Sequence, residues 1–592
     1  MPFSARLDDL RPNRRRSAGF SDQVDEIVAH SLSEVMPAID AVTAAAEAEL
    51  WAVGFVAYDA APAFDRNLVV PVRDSFHDGL PLVWFGLYRT RTLNPETDRA
   101  MGAYELAPWE WVETRTEYER DVAAIRDHIE AGDTYQVNYS SRLRSRFTGD
   151  PVALYHDLAA AQSGGYGTYL DTGRFQIVSA SPELFFDRHP IDDRTDRLIT
   201  RPMKGTARRG RWAAEDAERR ALLEASDKDR AENLIIVDLL RNDLGRVARF
   251  GTVTVSDLMR IERFDTVWQM TSSIEAEIAA DTPLRDVFTA LFPCGSITGA
   301  PKVRTMQIIS ELESAARGVY TGAIGFISPP GMPGPRASFS VGIRTVVIDG
   351  ETGDAEYGIG GGVTWDSAPE REYEEAALKS EILRYGRTDF ELLETLRWNP
   401  VSGWYWLDYH LDRMAASAEY FGLPLDRSQL SDRLDAAVGG DNDLRVRLTV
   451  DRQGRASVAV TVQPRTGAKS VAVAVDREPV DVQSPFLFHK TTRREVYEER
   501  QARHPHADDV LLVNGNGDLT ESAIANVVVK LNGAWYTPPI EAGCLPGIYR
   551  RVLLEEGRIS ERRILLADLE DCQGIALINS VQLWRPAFIV DD

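Results

Sequence analysis

The sequence TRPMKGT, at positions 200–206, carries one lysine, Lys204, on a turn bounded by proline and glycine. On such a turn an amine can meet a small molecule at close range. A lysine withdrawn from water can act as a nucleophile, because its pKa falls readily. A lysine on a turn can equally be a solvated surface charge. The residues on both sides of the turn therefore decide between the two interpretations.

Length and composition are typical of a large globular protein. The chain has 592 residues, 44% hydrophobic and 27% charged, so we expect more than one domain and a mixed α/β (α+β) fold. The net charge of −24 argues against nucleic-acid or membrane partners but is compatible with a small anionic substrate. The chain has only three cysteines, which fits a reducing compartment, and no apolar run long enough to span a membrane. Its N-terminus does not resemble a secretory signal, so we expect a cytoplasmic protein.

The pattern of residues along the sequence changes near residue 388. Before it, helical and strand-like patterns are mixed, and after it the sequence FELLETLR at 390–397 begins a new pattern. We predict a first domain over 1–388 and a second over 389–592, each long enough to fold independently. The predicted helices and strands of the first domain are helices at 117–131, 229–240 and 370–384, and strands at 175–180, 183–187, 322–327, 337–348 and 356–363.

Two pairs of acidic residues are spaced three apart, Asp229 with Glu232 and Glu372 with Glu375. On a helix this spacing places both carboxylates on one face, and two such helices facing each other could hold a divalent cation. Magnesium commonly takes one or two protein carboxylates together with water and substrate oxygens. The alternative is a pair of solvated helix faces, in a chain with 91 acidic residues.

Three further features are suited to binding a carboxylate. The sequence GSITGAPK at 295–302 is typical of a helix N-terminus with free N–H groups. The sequence GIGGG at 358–362 allows the backbone to approach a ligand closely, and Arg344 can form a bidentate pair with a carboxylate. The alternatives are a plain capped helix, a strand bulge and a structural ion pair.

In their order along the chain, these segments resemble the chorismate-utilising enzyme family over roughly residues 50–385. The resemblance implies a large chorismate-binding β-sandwich domain with flanking helices. The matching sequences are IEAGDTYQVN (129–138), SASPELF (179–185), PMKGT (202–206), DRAENLIIVDLLRNDLGR (229–246), GSITGAPK (295–302) and YGIGGGVTWDSAP (357–369).

The resemblance also implies a role for each matching residue. A lysine at 204 together with Gln136, where isochorismate-forming members have a lysine, is similar to the branch that makes aminodeoxychorismate. In that branch Lys204 would attack C2 of chorismate and displace the C4 hydroxyl, ammonia would enter at C4, and Glu183 would be the general acid/base. The implied magnesium ligands are Asp229, Glu232, Glu372 and Glu375, and the implied substrate contacts are Arg344, Gly360, Gly361, Gly362, Thr298 and Lys379.

One position departs from the family. A histidine that the family often has is replaced by Gln269, which cannot exchange a proton near neutral pH. This favours an enzyme that relies on Lys204 and Glu183, and it argues against loss of pyruvate in the first domain.

The second domain carries a lysine, an acid and an anion-binding turn in that order. They are Lys490 in HKTT (489–492), Glu521 in LTESAIANV (519–527), and the sequence GCLPGIYR (543–550), which predicts a turn that leads into a helix. Pyridoxal phosphate needs a covalent lysine, an acid for its pyridinium nitrogen and a phosphate cradle. Taken singly, each feature can be a surface lysine, a strand-end acid or a helix cap.

Their order resembles the class IV aminotransferase family over about residues 390–590. The resemblance implies a D-amino-acid-aminotransferase-like domain of fold type IV that binds pyridoxal 5′-phosphate. Lys490 would bond covalently to the cofactor and Glu521 would pair with the pyridinium nitrogen. The implied phosphate contacts are Arg413, Ile548 and Ser580.

The two resemblances together imply a bifunctional enzyme that aminates chorismate and then eliminates pyruvate to give 4-aminobenzoate, a precursor of folate or of secondary metabolites. The alternatives are a non-catalytic second domain, a second domain that is an amino-acid transaminase, and a first domain that forms anthranilate. Cys294, Cys544 and Cys572 lie outside any glutaminase pattern. We therefore expect ammonia from a separate glutamine amidotransferase subunit or from solution.

Overall fold

The computed structural model describes residues 4–11, 16–95, 102–162, 164–264, 267–383, 390–463 and 470–590. The chain forms two compact units, Met1–Arg208 with Arg220–Arg387, and Arg209–Arg219 with Thr388–Asp592. Helices and strands are mixed in both units, so the expected mixed α/β class is confirmed. Among the described helices, none combines the length and the apolar character needed to cross a membrane.

The described residues form 13 α-helices and 31 strands, with short 3-10 turns between them. The helices are α1 Leu32–Glu47, α2 Ala61–Phe64, α3 Arg115–Glu130, α4 Pro151–Gln162, α5 Ala213–Ala225, α6 Asp227–Gly245, α7 Leu284–Leu291, α8 Lys302–Leu312, α9 Pro369–Ser380, α10 Leu407–Phe421, α11 Arg427–Ala437, α12 Glu495–Arg503 and α13 Ile548–Glu555. The strands of the first unit are β1 Ala5–Asp9, β2 Arg16–Ala29, β3 Trp51–Val56, β4 Val83–Leu93, β5 Tyr104–Leu106, β6 Glu110–Trp111, β7 Gln136–Gly149, β8 Tyr166–Asp171, β9 Phe175–Ser181, β10 Leu184–Asp192, β11 Thr195–Arg201, β12 Met203–Arg208, β13 Thr254–Arg263, β14 Val267–Ala279, β15 Gly299–Ala300, β16 Ala323–Ile327, β17 Ala337–Val341, β18 Thr345–Asp349 and β19 Asp354–Val363. The strands of the second unit are β20 Leu392–Asn399, β21 Gly403–Trp404, β22 Leu444–Val450, β23 Ala456–Val462, β24 Val471–Val475, β25 Asp509–Val513, β26 Leu519–Ser522, β27 Asn526–Leu531, β28 Ala534–Thr537, β29 Ser560–Glu561, β30 Gly574–Asn579 and β31 Leu583–Ile589.

The strands of the first unit form one hydrogen-bonded network that packs as a sandwich. In β3, Trp51 and Phe55 lie in an apolar cluster with Ile177 of β9, whereas Ala52 and Val56 belong to a cluster on the opposite face. This period-two alternation is typical of a strand packed on both faces. Helices α1, α6 and α7 cover one outer face and α3, α4, α8 and α9 the other, so the expected β-sandwich with flanking helices is confirmed.

The predicted helices of the first domain are present as α3, α6 and α9. The last ends at Ser380 and is followed by the single turn Glu381–Leu383, while position 384 lies outside the described residues. The strand predicted at 337–348 is wrong, because it is two strands, β17 and β18. Between them Arg344 has a φ of 51°, a backbone conformation that costs a non-glycine residue about 1–3 kcal/mol and is frequent at functional sites.

The second unit contains two sheets. The smaller has the strand order β21-β20-β22-β23 and packs against α10 and α11. The larger has the order β26-β25-β24-β31-β30-β27-β28-β29, with an apolar cluster on each face, and α13 contributes to one of them. The site residues of this unit come from both sheets, from helices α10, α12 and α13, and from the turns beside them.

The segment Arg209–Arg219 belongs to the second unit, although it follows β12 directly in the sequence. The ring of Trp212 lies 5.1 Å from the ring of Phe488. Arg209 donates to both carboxylate oxygens of Asp216, at 2.6 and 2.7 Å, and its guanidinium lies 4.4 Å from the ring of Tyr420. No pattern in the sequence indicated this packing, so the prediction of a domain over 1–388 did not anticipate it.

Candidate active sites

A cavity of about 170 Å³ lies in the first unit. Its lining comes from β12, α6, α9, β19 and the turn Gly295–Ile297, segments that are far apart in the sequence. The structure therefore brings most of the predicted site residues to one place. The predicted residues that line it are Glu183, Lys204, Asp229, Glu232, Arg344, Gly360, Gly361, Gly362, Glu372, Glu375 and Lys379.

In this cavity the pKa of Lys204 is lower, and the pKa of Glu183 higher, than the ordinary value for each side chain. Desolvation lowers the pKa of Lys204, although the nearby Glu232 carboxylate opposes the change. Burial raises the pKa of Glu183 to about 7, although Ser296 donates a hydrogen bond to its Oε1 at 2.5 Å and favours the ionised form. A neutral amine and a protonated carboxyl are the forms that a nucleophile and a proton donor require.

The turn that carries Lys204 is held by side-chain amides. Gln269 donates from Nε2 to the carbonyl of Gly205 at 2.9 Å and accepts from the hydroxyl of Thr206 at 3.0 Å. Asn233 of α6 donates to the carbonyl of Lys204 at 3.2 Å. Gly205 has a φ of 93°, which explains why glycine stands there. Gln269 therefore positions the turn and has no proton to exchange.

The four acidic residues predicted to bind magnesium line this cavity from α6 and α9. Burial raises the pKa of Glu372 and of Glu232, and the neighbouring Glu375 and Asp229 carboxylates add to the two changes. Such repulsion between hard oxygen donors suits a divalent cation. Within the described ranges, no three His, Cys, Asp or Glu side chains are gathered into a ready-made metal site. The donor set fits magnesium that keeps water and substrate oxygens among its ligands.

Two cationic side chains, Arg344 and Lys379, also line the cavity. Arg344 donates from Nη1 to Gln162 and has no acidic partner in the described part of the chain, so its charge remains for a ligand. Lys379 binds Glu375 at 2.8 Å and the carbonyl of Gly360 at 2.9 Å. A Cβ at Gly362 would lie 2.7 Å from Nζ of Lys204, so only glycine leaves room for the amine there.

Two predictions about the GSITGAPK segment do not match the cavity. Thr298 is absent from the lining, and its hydroxyl donates to the carbonyls of Cys294 and Gly295 at 3.1 and 3.3 Å. Helix α8 begins only at Lys302, outside the lining, so its N-terminus is not presented to the cavity. Ser296 lines the cavity instead. The motif contained this residue, but its spacing alone does not tell which hydroxyl faces inward.

A second cavity, of about 310 Å³, lies in the second unit. It is lined by all five residues that were predicted to hold a cofactor there: Arg413, Lys490, Glu521, Ile548 and Ser580. Burial lowers the pKa of Lys490 to about 8 and raises the pKa of Glu521 to about 7. This cavity therefore also pairs an amine and an acid that can change protonation near neutral pH.

Glu521 is held by three donors. The hydroxyl of Tyr497 donates to Oε1 at 2.8 Å, and Oε2 accepts from the backbone of Leu545 at 3.1 Å and from Asn526 at 3.4 Å. A carboxylate fixed in this way fits the partner of a pyridinium nitrogen. Sequence reasoning missed Tyr497, because no motif distinguishes it from other helical tyrosines.

Residues of α13 and α10 form a site for an anion, the anion cradle, in the same cavity. Helix α13 follows Gly547 and has no side-chain cap, so its first N–H groups are free to bind an anion. Arg413 donates to the carbonyl of Pro546 at 3.1 Å and pairs with both oxygens of Glu394. Nε2 of His410 is buried without a hydrogen-bond partner among the described residues. These groups, with Lys490 and Glu521, fit pyridoxal phosphate.

The chain belongs to the chorismate binding enzyme family, whose sequence profile matches residues 10–385. A second profile, amino-transferase class IV, matches residues 391–588, so the chain joins a chorismate-binding domain to a class IV aminotransferase domain.

Similar proteins match about half of the chain. Anthranilate synthase component 1 of Aquifex aeolicus is 39% identical over 270 residues, which are 46% of this chain and 52% of that protein. Aminodeoxychorismate synthase component 1 of Bacillus subtilis is 38% identical over 291 residues, 49% of this chain and 58% of that protein. The chain thus spans about half the length of the curated relatives it matches. The crystal structure of anthranilate synthase component I from Streptococcus pneumoniae shares the fold, with 24% identity, a TM-score of 0.54, and coverage of 63% of this chain and 93% of that one.

Proposed function

We propose that the chain converts chorismate to 4-aminobenzoate in two steps. The first unit aminates chorismate to 4-amino-4-deoxychorismate, and the second eliminates pyruvate from that product. The observation that carries this proposal is that a lysine and a buried glutamate line each cavity together, Lys204 with Glu183 and Lys490 with Glu521. In both pairs desolvation lowers the pKa of the lysine and raises the pKa of the glutamate.

In the first step the neutral amine of Lys204 forms a bond to C2 of chorismate. The ring double bonds shift, the C4–O bond breaks, and the hydroxyl leaves as water with a proton from Glu183. Ammonia then forms a bond to C4 as the C2–N bond breaks, and the lysine returns as the free amine. Gln269 donates a hydrogen bond to the turn and plays no part as an acid, which favours amination over loss of pyruvate in this unit.

The substrate carboxylates are recognised by two sets of residues that line the first cavity. Arg344 and the backbone of 360–362 hold one carboxylate, since Arg344 has no acidic partner among the described residues. Magnesium, held by Glu232, Glu372 and their neighbours, would neutralise the other. Relatives of this unit include both anthranilate and aminodeoxychorismate synthases. We assign the second product because a lysine stands at 204, where the resemblance places a small residue in anthranilate-forming members.

In the second step, pyridoxal phosphate would supply an electron sink when bound. Lys490 holds and returns a proton at its Nζ, which its pKa of about 8 permits near neutral pH. Glu521, fixed by Tyr497 and Leu545, would pair with the pyridinium nitrogen and favour its charged form. The product ring becomes aromatic as pyruvate leaves, which drives the reaction forward.

The ammonia comes from a separate glutamine amidotransferase subunit in this proposal. The relatives named component 1 are, by that name, parts of a larger enzyme. Burial raises the pKa of Cys294 and of Cys544 to about 12, so neither thiol is suited to be a glutaminase nucleophile. Free ammonium at high concentration is expected to replace the partner.

Product analysis tests the proposal. Purified protein given chorismate, ammonium, magnesium and pyridoxal phosphate is expected to form 4-aminobenzoate. Lys490→Ala should accumulate aminodeoxychorismate, and Lys204→Ala should make at least about a hundredfold less of either product. Lys530→Ala, a lysine on β27 that lines neither cavity, is the matched control and should behave as the unaltered protein. Anthranilate as the main product would reject the proposal.

A further inference from the structure

Strand β22 contributes two arginines, Arg445 and Arg447, to the lining of the second cavity. Residues two apart on a strand point to the same face. The burial pattern shows that this is the exposed face of β22, since Leu444, Val446 and Leu448 point into the core. The two guanidinium groups therefore lie side by side at the cavity.

The neighbouring strand confirms that this face belongs to the cavity. Thr395 of β20 pairs directly with Arg447, and residues directly opposite in an antiparallel pair share a face. Thr395 itself lines the cavity, as does Leu393 two residues earlier. The face formed by β20 and β22 is thus one wall of the second cavity.

The lining as a whole is strongly cationic. Glu521 is the one acidic residue among the described residues of the lining, and its arginines and lysine are Arg413, Arg445, Arg447, Lys490, Arg493 and Arg494. The chain has a net charge of −24, so the basic lining does not follow from its overall composition. A cavity with this charge is built for anions.

The partners of these arginines differ. Arg413 pairs with Glu394 at the anion cradle, and Arg494 donates to the carbonyl of Ala523. Arg445 and Arg447 have no acidic partner among the residues that the structure describes. The cradle at α13 and Arg413 accounts for a single phosphate, so the two arginines of β22 remain for negative charge on another molecule.

We propose that Arg445 and Arg447 bind the carboxylates of the amine substrate, so that the second unit takes a dicarboxylic amine and discriminates against monocarboxylic amino acids. This inference rests on the proposed function, in which the substrate carries one carboxylate on the ring and one on the enolpyruvyl group. Arginine matches a carboxylate with two parallel hydrogen bonds, which gives geometric selection as well as attraction. A substrate with one carboxylate leaves one guanidinium without a partner.

Charge-removing variants of the full-length, cofactor-loaded protein test this assignment. The variants are Arg445→Met and Arg447→Met, alone and together. We expect the KM for aminodeoxychorismate to rise at least tenfold for each substitution while kcat changes by less than about threefold, because the contacts exist in the ground state and the transition state alike. Arg447→Lys should restore part of the loss. The control is Arg455→Met, an exposed arginine that pairs with Asp451 at 2.6 Å on the turn after β22.

A binding measurement separates this inference from the proposed function. Calorimetry with benzene-1,3-dicarboxylate and with benzoate should give at least tenfold tighter binding of the dicarboxylate, and the double variant should lose that preference. If the double variant forms 4-aminobenzoate with unchanged KM and retains the preference, the inference is overturned and the proposed function stands. If the unaltered protein itself forms no 4-aminobenzoate, but the preference for the dicarboxylate is still lost in the double variant, the carboxylate site stands and the proposed function fails.

Discussion

Glu183 is expected to cost the first unit stability at alkaline pH. Its pKa is about 7 in the folded protein against an ordinary value of 4.5. Well below pH 4.5 both states hold the proton and there is no cost. As pH rises from 4.5 to 7 the unfolded chain ionises first, so the free energy of unfolding falls, and above pH 7 the loss is complete. Each unit of difference between the folded and unfolded pKa corresponds to about 1.36 kcal/mol, so the full loss in the free energy of unfolding is ~3 kcal/mol.

Glu183→Gln removes the titration and keeps the shape of the side chain. The amide oxygen can still accept the hydrogen bond from Ser296. We expect the variant to be more stable than the unaltered protein by ~3 kcal/mol at pH 8.5 and by less than ~1 kcal/mol at pH 5. Native-state hydrogen exchange, read by mass spectrometry on peptides of β9 and β10, measures this difference in the strands beside the residue.

The control is Glu311→Gln, an exposed glutamate on α8, which should give the same small effect at both pH values. Ser296→Ala removes a hydrogen bond that favours ionised Glu183, so it should enlarge the pH effect. A stability gain for Glu183→Gln that is equal at pH 5 and 8.5, or larger at pH 5, would refute the reasoning. In that case the carboxyl would be ionised in the folded protein and could not donate a proton at neutral pH.

Three other predictions concern the segment 209–219 and the two cavities. Trp212→Ala removes a ring packed on Phe488 and should destabilise the second unit by about 2 kcal/mol, measured in urea by the loss of cofactor absorbance; an unchanged midpoint would argue against the placement of segment 209–219. Tyr497→Phe removes a hydrogen bond that holds down the pKa of Glu521, so the Glu521 carboxyl should titrate at higher pH in the variant, measured by difference infrared spectroscopy of the cofactor-free protein, and a titration that stays in place would contradict the contact. Chelation of divalent ions should stop amination of chorismate but spare conversion of added aminodeoxychorismate, measured by product formation; equal loss of both would show that metal dependence is not confined to the first cavity.

Local sequence patterns were sufficient for part of the fold. The helices α3, α6 and α9 were predictable from local patterns, such as the apolar stripe of α6, and the strands β9, β10, β16 and β19 were predictable from short strand-like runs. The exception at 337–348 shows the limit. Its apolar residues continue through the break, and only the contacts around Arg344 hold that residue in a left-handed conformation.

The sequence by itself determined which chemical groups the protein has and in what order: the lysine turn, the paired carboxylates, the glycine triplet, and the lysine and acid of the second unit. These depend on residue type and spacing. The tertiary structure alone decided which groups share a cavity and how they titrate. Glu183 and Ser296 are 113 residues apart in the chain, yet their contact and common burial set the pKa of the acid. Desolvation and electrostatic contact depend on distance in space, which spacing along the chain does not specify.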